Sequence, residues 1–375
     1  MDVVGIVAEY NPFHAGHAYH IAGTRRRLGE CAVAAVMSGN FVQRGECAIL
    51  DKWTRARAAL EGGADLVLEL PTVWAASSAE CFARGAVDLL AAAGVATHLS
   101  FGSECGDVDK LRRVAACLDS EAYRAGLRRF LDEGMPFAAC RQSVVRGLLG
   151  EELAELLSQP NNNLGVEYIR ALNAAGSGIQ PITVPRIGAG HDGGDHPAYP
   201  SASAVREKML SGALEAANPA SLAYCGRAVL ARLRSMTVRD WTALPDSGGG
   251  EGLPQRLVRA AAEAVSLDQF YALAKTRRYA HARIRRLALW AFLGLTEADR
   301  PGSPPCLRVL GANERGRALL REMKARARLP VVTKPAHGKG IPLLELEARC
   351  TDLYQLCREV PGPCGLEWTA NPVML

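Results

Sequence analysis

Within the first 185 residues, short and nearly uninterrupted apolar runs alternate with helical patterns, and that alternation leaves few folds open to the chain. The runs at 3–9 (V-V-G-I-V-A-E), 32–37 (A-V-A-A-V-M), 65–70 (D-L-V-L-E-L) and 97–101 (T-H-L-S-F) read as strands buried on both faces. Between them the spacing predicts helices over 16–28, 52–60 and 78–93, with Gly29 and Gly94 just past two of the ends. Strand, helix, strand in repetition is the signature of a parallel sheet covered on both sides. The expected fold class is therefore α/β, a Rossmann-like doubly wound parallel sheet followed by a mainly α-helical C-terminal region. Residues 108–175 read as a helical insertion, 182–184 as a last strand, and the stretch from 201 as another helix. The glycine-rich stretch 244–252 reads as a linker ahead of helices over 253–274 and 279–293. The expected division is a sheet domain over 1–210 and a helical region over 211–375.

A sheet of this kind binds ligands beyond the C-terminal ends of its strands. Three of the runs end in E-Y-N-P-F-H, S-G-N-F and G-S-E-C-G, loops expected to line one crevice. The first continues into Phe13-His14-Ala15-Gly16-His17, where His14 and His17 share a face of the helix that opens there. Gly16 is expected to leave room for a ligand. Free backbone N–H groups and the positive end of the helix dipole meet the imidazoles at the same point, a setting for a phosphate. Two imidazoles there can donate to oxygens that gain charge during phosphoryl or adenylyl transfer. Neither the G-x-G-x-x-G fingerprint of a dinucleotide dehydrogenase nor a Walker A loop follows the first strand. A second element, Ser201-Ala202-Ser203-Ala204-Val205-Arg206, places serines before a helix, where they cap it and can hold phosphate oxygens.

Charge adds a partner. The chain carries a net +5, yet between Lys275 and Lys339 stand 16 Lys/Arg against four acids; that segment is +12 and the rest −7. Such asymmetry points to a polyanion in the C-terminal third. The 11 cysteines are scattered without a C-x-x-C pair, which fits small buried hydrophobes in a reducing compartment better than a zinc site. No apolar run is long enough to span a bilayer, and the start M-D-V-V-G-I lacks a signal peptide's basic region, so a cytoplasmic location without membrane attachment is expected.

H-x-G-H early and S-x-S-x-x-R late resembles the nucleotidyltransferases of the H-I-G-H superfamily. Longer segments narrow this. G-I-V-A-E-Y-N-P-F-H-A-G-H (5–17), V-M-S-G-N-F-V-Q-R-G-E (36–46), D-K-W-T-R-A (51–56), G-A-D-L-V-L-E-L-P (63–71), F-G-S-E (101–104) and P-N-N-N-L-G-V-E-Y (160–168) resemble the bacterial tRNA(Met) cytidine acetate ligase family. The resemblance implies a nucleotidyltransferase-type fold and a cytoplasmic enzyme. It implies activation of acetate with ATP, Mg²⁺ accompanying it, to acetyl-adenylate and pyrophosphate. The acetyl group then passes to the N4 amine of the wobble cytidine of elongator tRNA(Met). No protein partner is implied.

The same resemblance assigns sites. The ATP site maps onto Val7, Ala8, Glu9, Tyr10, Asn11, Pro12, Phe13, His14, Ala15, Gly16, His17, Ala18, Tyr19 and His20, then Gly102, Asn162 and Arg186. Which of Asn161, Asn162 and Asn163 makes the contact stays open. His14 and His17 are the catalytic pair, Ser203 and Arg206 the β,γ-phosphate contacts, and His20 a residue behind them. Arg277, Arg278, Arg283, Arg285, Arg286, Arg321 and Lys324 are expected on tRNA phosphates. Arg44 and Lys52 are candidates for phosphate contact or for ion pairs with Glu46 and Asp51. Glu9, Glu69 and Glu104 are candidates to position the cytosine amine, bind metal or pair with arginine. His191 and His196 fall in a loop read as a lid, and Tyr279, Trp290 and Trp368 are candidates for base stacking, with a core role favoured for Trp290. Two other readings fit parts of the pattern: a small-molecule adenylyltransferase of the coenzyme-biosynthesis type, and a non-catalytic tRNA-binding factor.

Overall fold

A computed structural model describes residues 1–186, 200–248, 252–277 and 279–375. Its centre is an eight-stranded sheet. Strands β1 (Asp2–Ala8), β2 (Cys31–Ser38), β5 (Leu66–Leu70), β6 (His98–Ser103) and β7 (Gln180–Pro185) are parallel, in the order β5-β2-β1-β6-β7. β2 and β5 are buried along their whole lengths, as their unbroken apolar runs require. A small antiparallel hairpin, β3 (Phe41–Val42) with β4 (Glu46–Cys47), follows β2.

Local chemistry sets the helix ends. Helix α1 (Ala15–Leu28) starts on His14 and α2 (Lys52–Glu61) on Asp51, whose carboxylate accepts from Trp53 N and Thr54 N. Ser78 caps helix Ala79–Ala93, and Gly94 ends it in the left-handed region at φ 69°. Residues 108–175 form the expected helical insertion, closed by helix Pro160–Ala174 against the sheet.

Past residue 210 the chain returns to the sheet. β8 (Leu307–Ala312) runs antiparallel to β5, β9 (Val331–Val332) pairs with β8, and β10 (Val373–Met374) lies parallel to β8 at the edge. The last third of the chain thus re-enters the sheet built by the first. Between these two passages, helices Gly226–Arg234, Leu253–Glu263, Leu267–Ala274 and His281–Leu293 form a bundle. Trp290 lies inside it, 1% exposed, and donates from Nε1 to Ala76 O at 2.7 Å, as the core reading expects. Tyr279 is buried, and Trp368, half-buried, packs on the small core of Cys306, Val332 and Leu344. No described helix is long and apolar enough to cross a membrane.

The re-entry is locked by buried charge. Lys52 is 0% exposed, and its Nζ lies 2.6 Å from both Glu69 Oε1 and Glu367 Oε2. Arg308 stands behind Glu367 at 3.7 Å, and Glu347 accepts from Thr72 Oγ1 at 2.8 Å. Lys52 and Glu69, both candidates for ligand contact from the sequence, are therefore structural. Burial opposes the charge on Lys52, but Glu367 and Glu69 hold its pKa above the usual range.

Candidate active site

The H-A-G-H turn sits at the C-terminal end of β1. Tyr10 adopts φ 45°, the Asn11–Pro12 peptide is cis, and the chain turns so that His14 becomes the N-cap of α1. The cap is unusual in chemistry, because two imidazoles provide it. His14 Nδ1 accepts from Gly16 N at 3.0 Å, and His17 Nδ1 accepts from His14 N at 3.2 Å. A nitrogen that accepts cannot carry the proton, so each neutral ring is protonated at Nε2. The rings lie 3.8 Å apart, centroid to centroid. Two Nε2–H donors are thereby fixed side by side over a helix N-terminus, the disposition that anionic oxygens require.

A Cβ at Gly16 would meet the His14 ring, 2.9 Å from Cε1. Glycine is needed so that His14 can fold back over the helix end.

Both rings are neutral at pH 7. Burial, then Arg186 and Arg206, lowers His14 to about 4, and burial with the neighbouring histidines lowers His17 well below its usual value. His20 is also lowered to about 4, by burial and then Arg186. Unfolded histidines take up protons near 6.5, whereas these stay neutral until far lower pH. Their contribution to stability is whole above about 6.5 and is lost as the pH falls toward about 4. The urea midpoint is expected to drop over that interval, and to drop less in His20→Asn.

His20 itself faces the sheet. Its Nε2 lies 3.0 Å from Ser100 Oγ, which is 2.7 Å from Thr24 Oγ1, and Thr24 Oγ1 donates to His20 O at 3.0 Å. With the Thr24 proton committed, Ser100 donates to Thr24 and His20 Nε2–H donates to Ser100. The ring fixes α1 against β6, behind the H-A-G-H pair.

Several distant segments converge on the pair. Arg206 donates from Nη1 to Asn11 O at 2.8 Å and from Nη2 to Ser203 Oγ at 3.0 Å, while Ser201 caps the helix Ala202–Leu210. On the other side, Arg186 is exposed beside Gly102 and donates to Asn161 Oδ1 at 3.1 Å. Asn162 is fully buried; its Oδ1 accepts from Glu104 N and Cys105 N, and its Nδ2 donates to Gln159. Its side chain shapes the loop after β6, while Asn161 faces outward with Arg186. Glu104 is committed to the same loop through Asn161 and Asn162. Glu9 accepts from Gln43 N at 2.9 Å; burial raises its pKa against the pull of Arg206 and Arg44.

Arg55 organises the strand ends without having been singled out from the sequence. Fully buried, it donates to Glu9 O at 2.7 Å, Ser38 O at 3.0 Å, Leu50 O at 2.9 Å and to Gly39 O. It ties the ends of β1 and β2 together. The only available signal was an arginine on the otherwise buried face of α2.

The basic residues divide. Arg277 is exposed and unpaired among the described residues, but Arg285 pairs with Glu46, Arg283 donates to Asp246 O, and Arg286 is largely buried near Asp246. These last three have acceptors within the protein. Arg321 and Lys324 are exposed, on helix Glu314–Arg326, which begins where β8 meets the first residue of β5 and where Arg315 bonds Cys31 O. That is the opposite end of the parallel strands, about 20 Å from the histidines at roughly 3.3 Å per strand residue. Arg278, His191 and His196 lie outside the described residues.

Comparison with known proteins agrees with this geometry. The chain matches the family model described as HIGH Nucleotidyl Transferase over residues 1–363. It is 34% identical over 385 residues to the tRNA(Met) cytidine acetate ligase of Clostridium perfringens, covering 94% of this chain and 95% of that one. It is 34% identical over 417 residues to the ligase of the same name from Syntrophomonas wolfei, covering 100% and 99%. Among solved structures, apo TmcAL of Thermotoga maritima superposes with a TM-score of 0.93 at 33% identity, over the full length of both chains. The same protein bound with alpha-thio ATP gives 0.90 at 32% identity, again over both full lengths. The chain belongs to the HIGH nucleotidyl transferases and, among them, to the tRNA(Met) cytidine acetate ligase family.

Proposed function

We propose that this chain is an ATP-dependent ligase that joins acetate to the N4 amine of the wobble cytidine of elongator tRNA(Met), forming N4-acetylcytidine. The observation that carries the reading is the pair of Nε2–H donors of His14 and His17 flanked by Arg186 and Arg206, in a chain that matches ligases of that name from end to end. In the first step an acetate oxygen attacks the α-phosphorus of ATP. A new P–O bond forms, the α–β bridge breaks, and pyrophosphate leaves. Both reactants are anions, so the site must offset their repulsion. His14 and His17 donate to phosphate oxygens, and Ser203 with Arg206 holds the departing pyrophosphate. Arg186, Asn161 or Asn162, and the backbone at Gly102 hold the nucleoside side, along the turn 7–20. In the second step the cytosine N4 attacks the acetyl carbonyl. The C–N bond forms, AMP leaves with the oxygen of the acyl-phosphate bond, and the amine loses a proton.

Among the described residues no three His, Cys, Asp or Glu side chains converge as a metal site. A Mg²⁺ entering here fits as a companion of the triphosphate, held by its oxygens.

The test is incubation with elongator tRNA(Met), ATP and labelled acetate, followed by mass spectrometry of the nucleosides and by ATP–pyrophosphate exchange. Acetate-dependent exchange and labelled N4-acetylcytidine are expected. Exchange that needs a nucleotide-like acceptor instead of acetate supports the coenzyme-type adenylyltransferase; tRNA binding without either reaction supports a binding factor. Acetate offers few atoms to grip, and one methylene is worth about 1–3 kcal/mol. Propionate is therefore expected to be discriminated against by only about 10–200-fold in kcat/KM for exchange.

Arg277 and the surface around it are proposed to meet tRNA phosphates near the site, with Arg321 and Lys324 reaching a more distant part of the molecule. Each true phosphate contact contributes about one unit to the slope of log K against log salt. Arg277→Ala is expected to lower that slope by about one, read by filter binding between about 50 and 200 mM salt.

A further inference from the structure

A cavity of about 430 Å³ opens beside Arg206 and the hairpin after β2. One wall is the hairpin after β2, with Glu46; another is the helical bundle, with Arg227, Asp268, Tyr271 and Arg285; Arg206 closes the inner end. Its volume suits a single nucleoside-sized occupant.

The cavity lies on the opposite side of β1 from the nucleotide contacts. His20 bonds β6, and Arg186 with Asn161 sits at the ends of β6 and β7. The cavity belongs to the β2 side, through Ile49, whose N donates to Asn11 Oδ1 at 2.7 Å. Asn11 and Arg206 are shared by the two halves, since Arg206 donates to Asn11 O and also lines the cavity. A group bound in either half ends against the same turn that precedes His14.

The lining is a set of hydrogen-bonding groups around an apolar base. Arg227 and Asp268 are exposed and make no hydrogen bond or ion pair with the described residues. Tyr271 is 6% exposed, with Arg285 over its ring at 5.1 Å. Cytosine presents an amine donor at one end of its edge and two acceptors, N3 and O2, beside it. A carboxylate together with a guanidinium matches that edge; uracil, with an acceptor at position 4 and a donor at N3, leaves both groups facing like partners. The start of helix His281–Leu293 lies against the same hairpin, where Arg285 pairs with Glu46.

We infer that this cavity receives the acceptor cytosine, with Asp268 or Glu46 accepting from its amine and Arg227 donating to N3, so that N4 is delivered toward the turn held by Asn11 and Arg206. The inference rests on the ligase reading above.

Three variants test it: Asp268→Asn and Arg227→Ala, which break no internal pair, and Ala223→Trp, which fills the cavity from an exposed position. Each is assayed for acetate-dependent ATP–pyrophosphate exchange and, at saturating elongator tRNA(Met), for N4-acetylcytidine. Exchange should stay within about twofold of the parent, while the transfer rate falls at least about tenfold, the range expected when one polar contact to the substrate is left unmade. Unchanged transfer in all three overturns the assignment. So does loss of exchange together with transfer, which would place the cavity in the nucleotide half. Transfer that recovers fully at saturating tRNA also overturns it, because the cavity would then only dock the tRNA. If the parent protein shows no acetate-dependent exchange, the ligase reading itself fails, an outcome separate from the other three.

Discussion

His14→Ala is expected to lower acetate-dependent ATP–pyrophosphate exchange by about 10²–10³, the usual loss when one preorganised donor to a developing anion is removed. The same substitution removes the N-cap of α1, because His14 Nδ1 accepts from Gly16 N. Loss of a cap alone costs about 1 kcal/mol. His14→Asn separates the two effects. Asparagine is among the best N-caps, yet it places no donor where Nε2–H stood. The urea midpoint of His14→Asn should stay near that of the parent, while exchange falls nearly as far as in the alanine variant. Binding of tRNA, governed by phosphates at other surfaces, should change less than about twofold in both. Exchange that survives in His14→Asn would leave the imidazole with a capping role only.

Lys52→Met is expected to destabilise the protein by about 3–5 kcal/mol, since it removes one partner of a buried ion network and leaves the others uncompensated. The network balances only in one protonation state. Lys52 and Arg308 oppose Glu69, Glu367 and Glu347, two positive groups against three acids. Burial, and after it Glu69, pushes Glu347 up to about 8, so at neutral pH it is mainly the protonated acid and the charges cancel. The fold then holds a proton that the unfolded chain releases near 4.5. The stability this contributes is whole below that value and is lost as the pH rises through about 8. Glu347→Gln mimics the protonated form and should flatten that loss, while Lys52→Met should lower the urea midpoint throughout. A Lys52→Met variant as stable as the parent would show that Glu69 and Glu367 are neutral in the fold.

Much of this architecture is legible from residue order alone, and the exceptions have physical causes. Strands β1, β2, β5 and β6 lie within a few residues of the apolar runs, because burial on both faces leaves an unmistakable local pattern. β8, L-R-V-L-G-A, has the same buried character but pairs antiparallel with a strand more than 200 residues earlier, and no local signal encodes such a partner. The histidine pair was readable because the residues that build its geometry all lie in one turn. The roles of Lys52 and Arg55 were not, since a buried cation is recognised only by the acids or carbonyls that meet it, and those come from elsewhere in the chain. Arg283, Arg285 and Arg286 carry the right charge for a polyanion, yet acceptors across the bundle face take them up.

The return of residues 307–312 to the sheet also governs how the molecule can be made. A ribosome that has completed the first 250 residues has released β5 with one side open, and the ammonium of Lys52 without Glu367 beside it. An uncovered strand of that kind invites pairing with another nascent chain. A fragment cut at residue 210 is therefore expected to emerge as inclusion bodies, even though it holds both histidines.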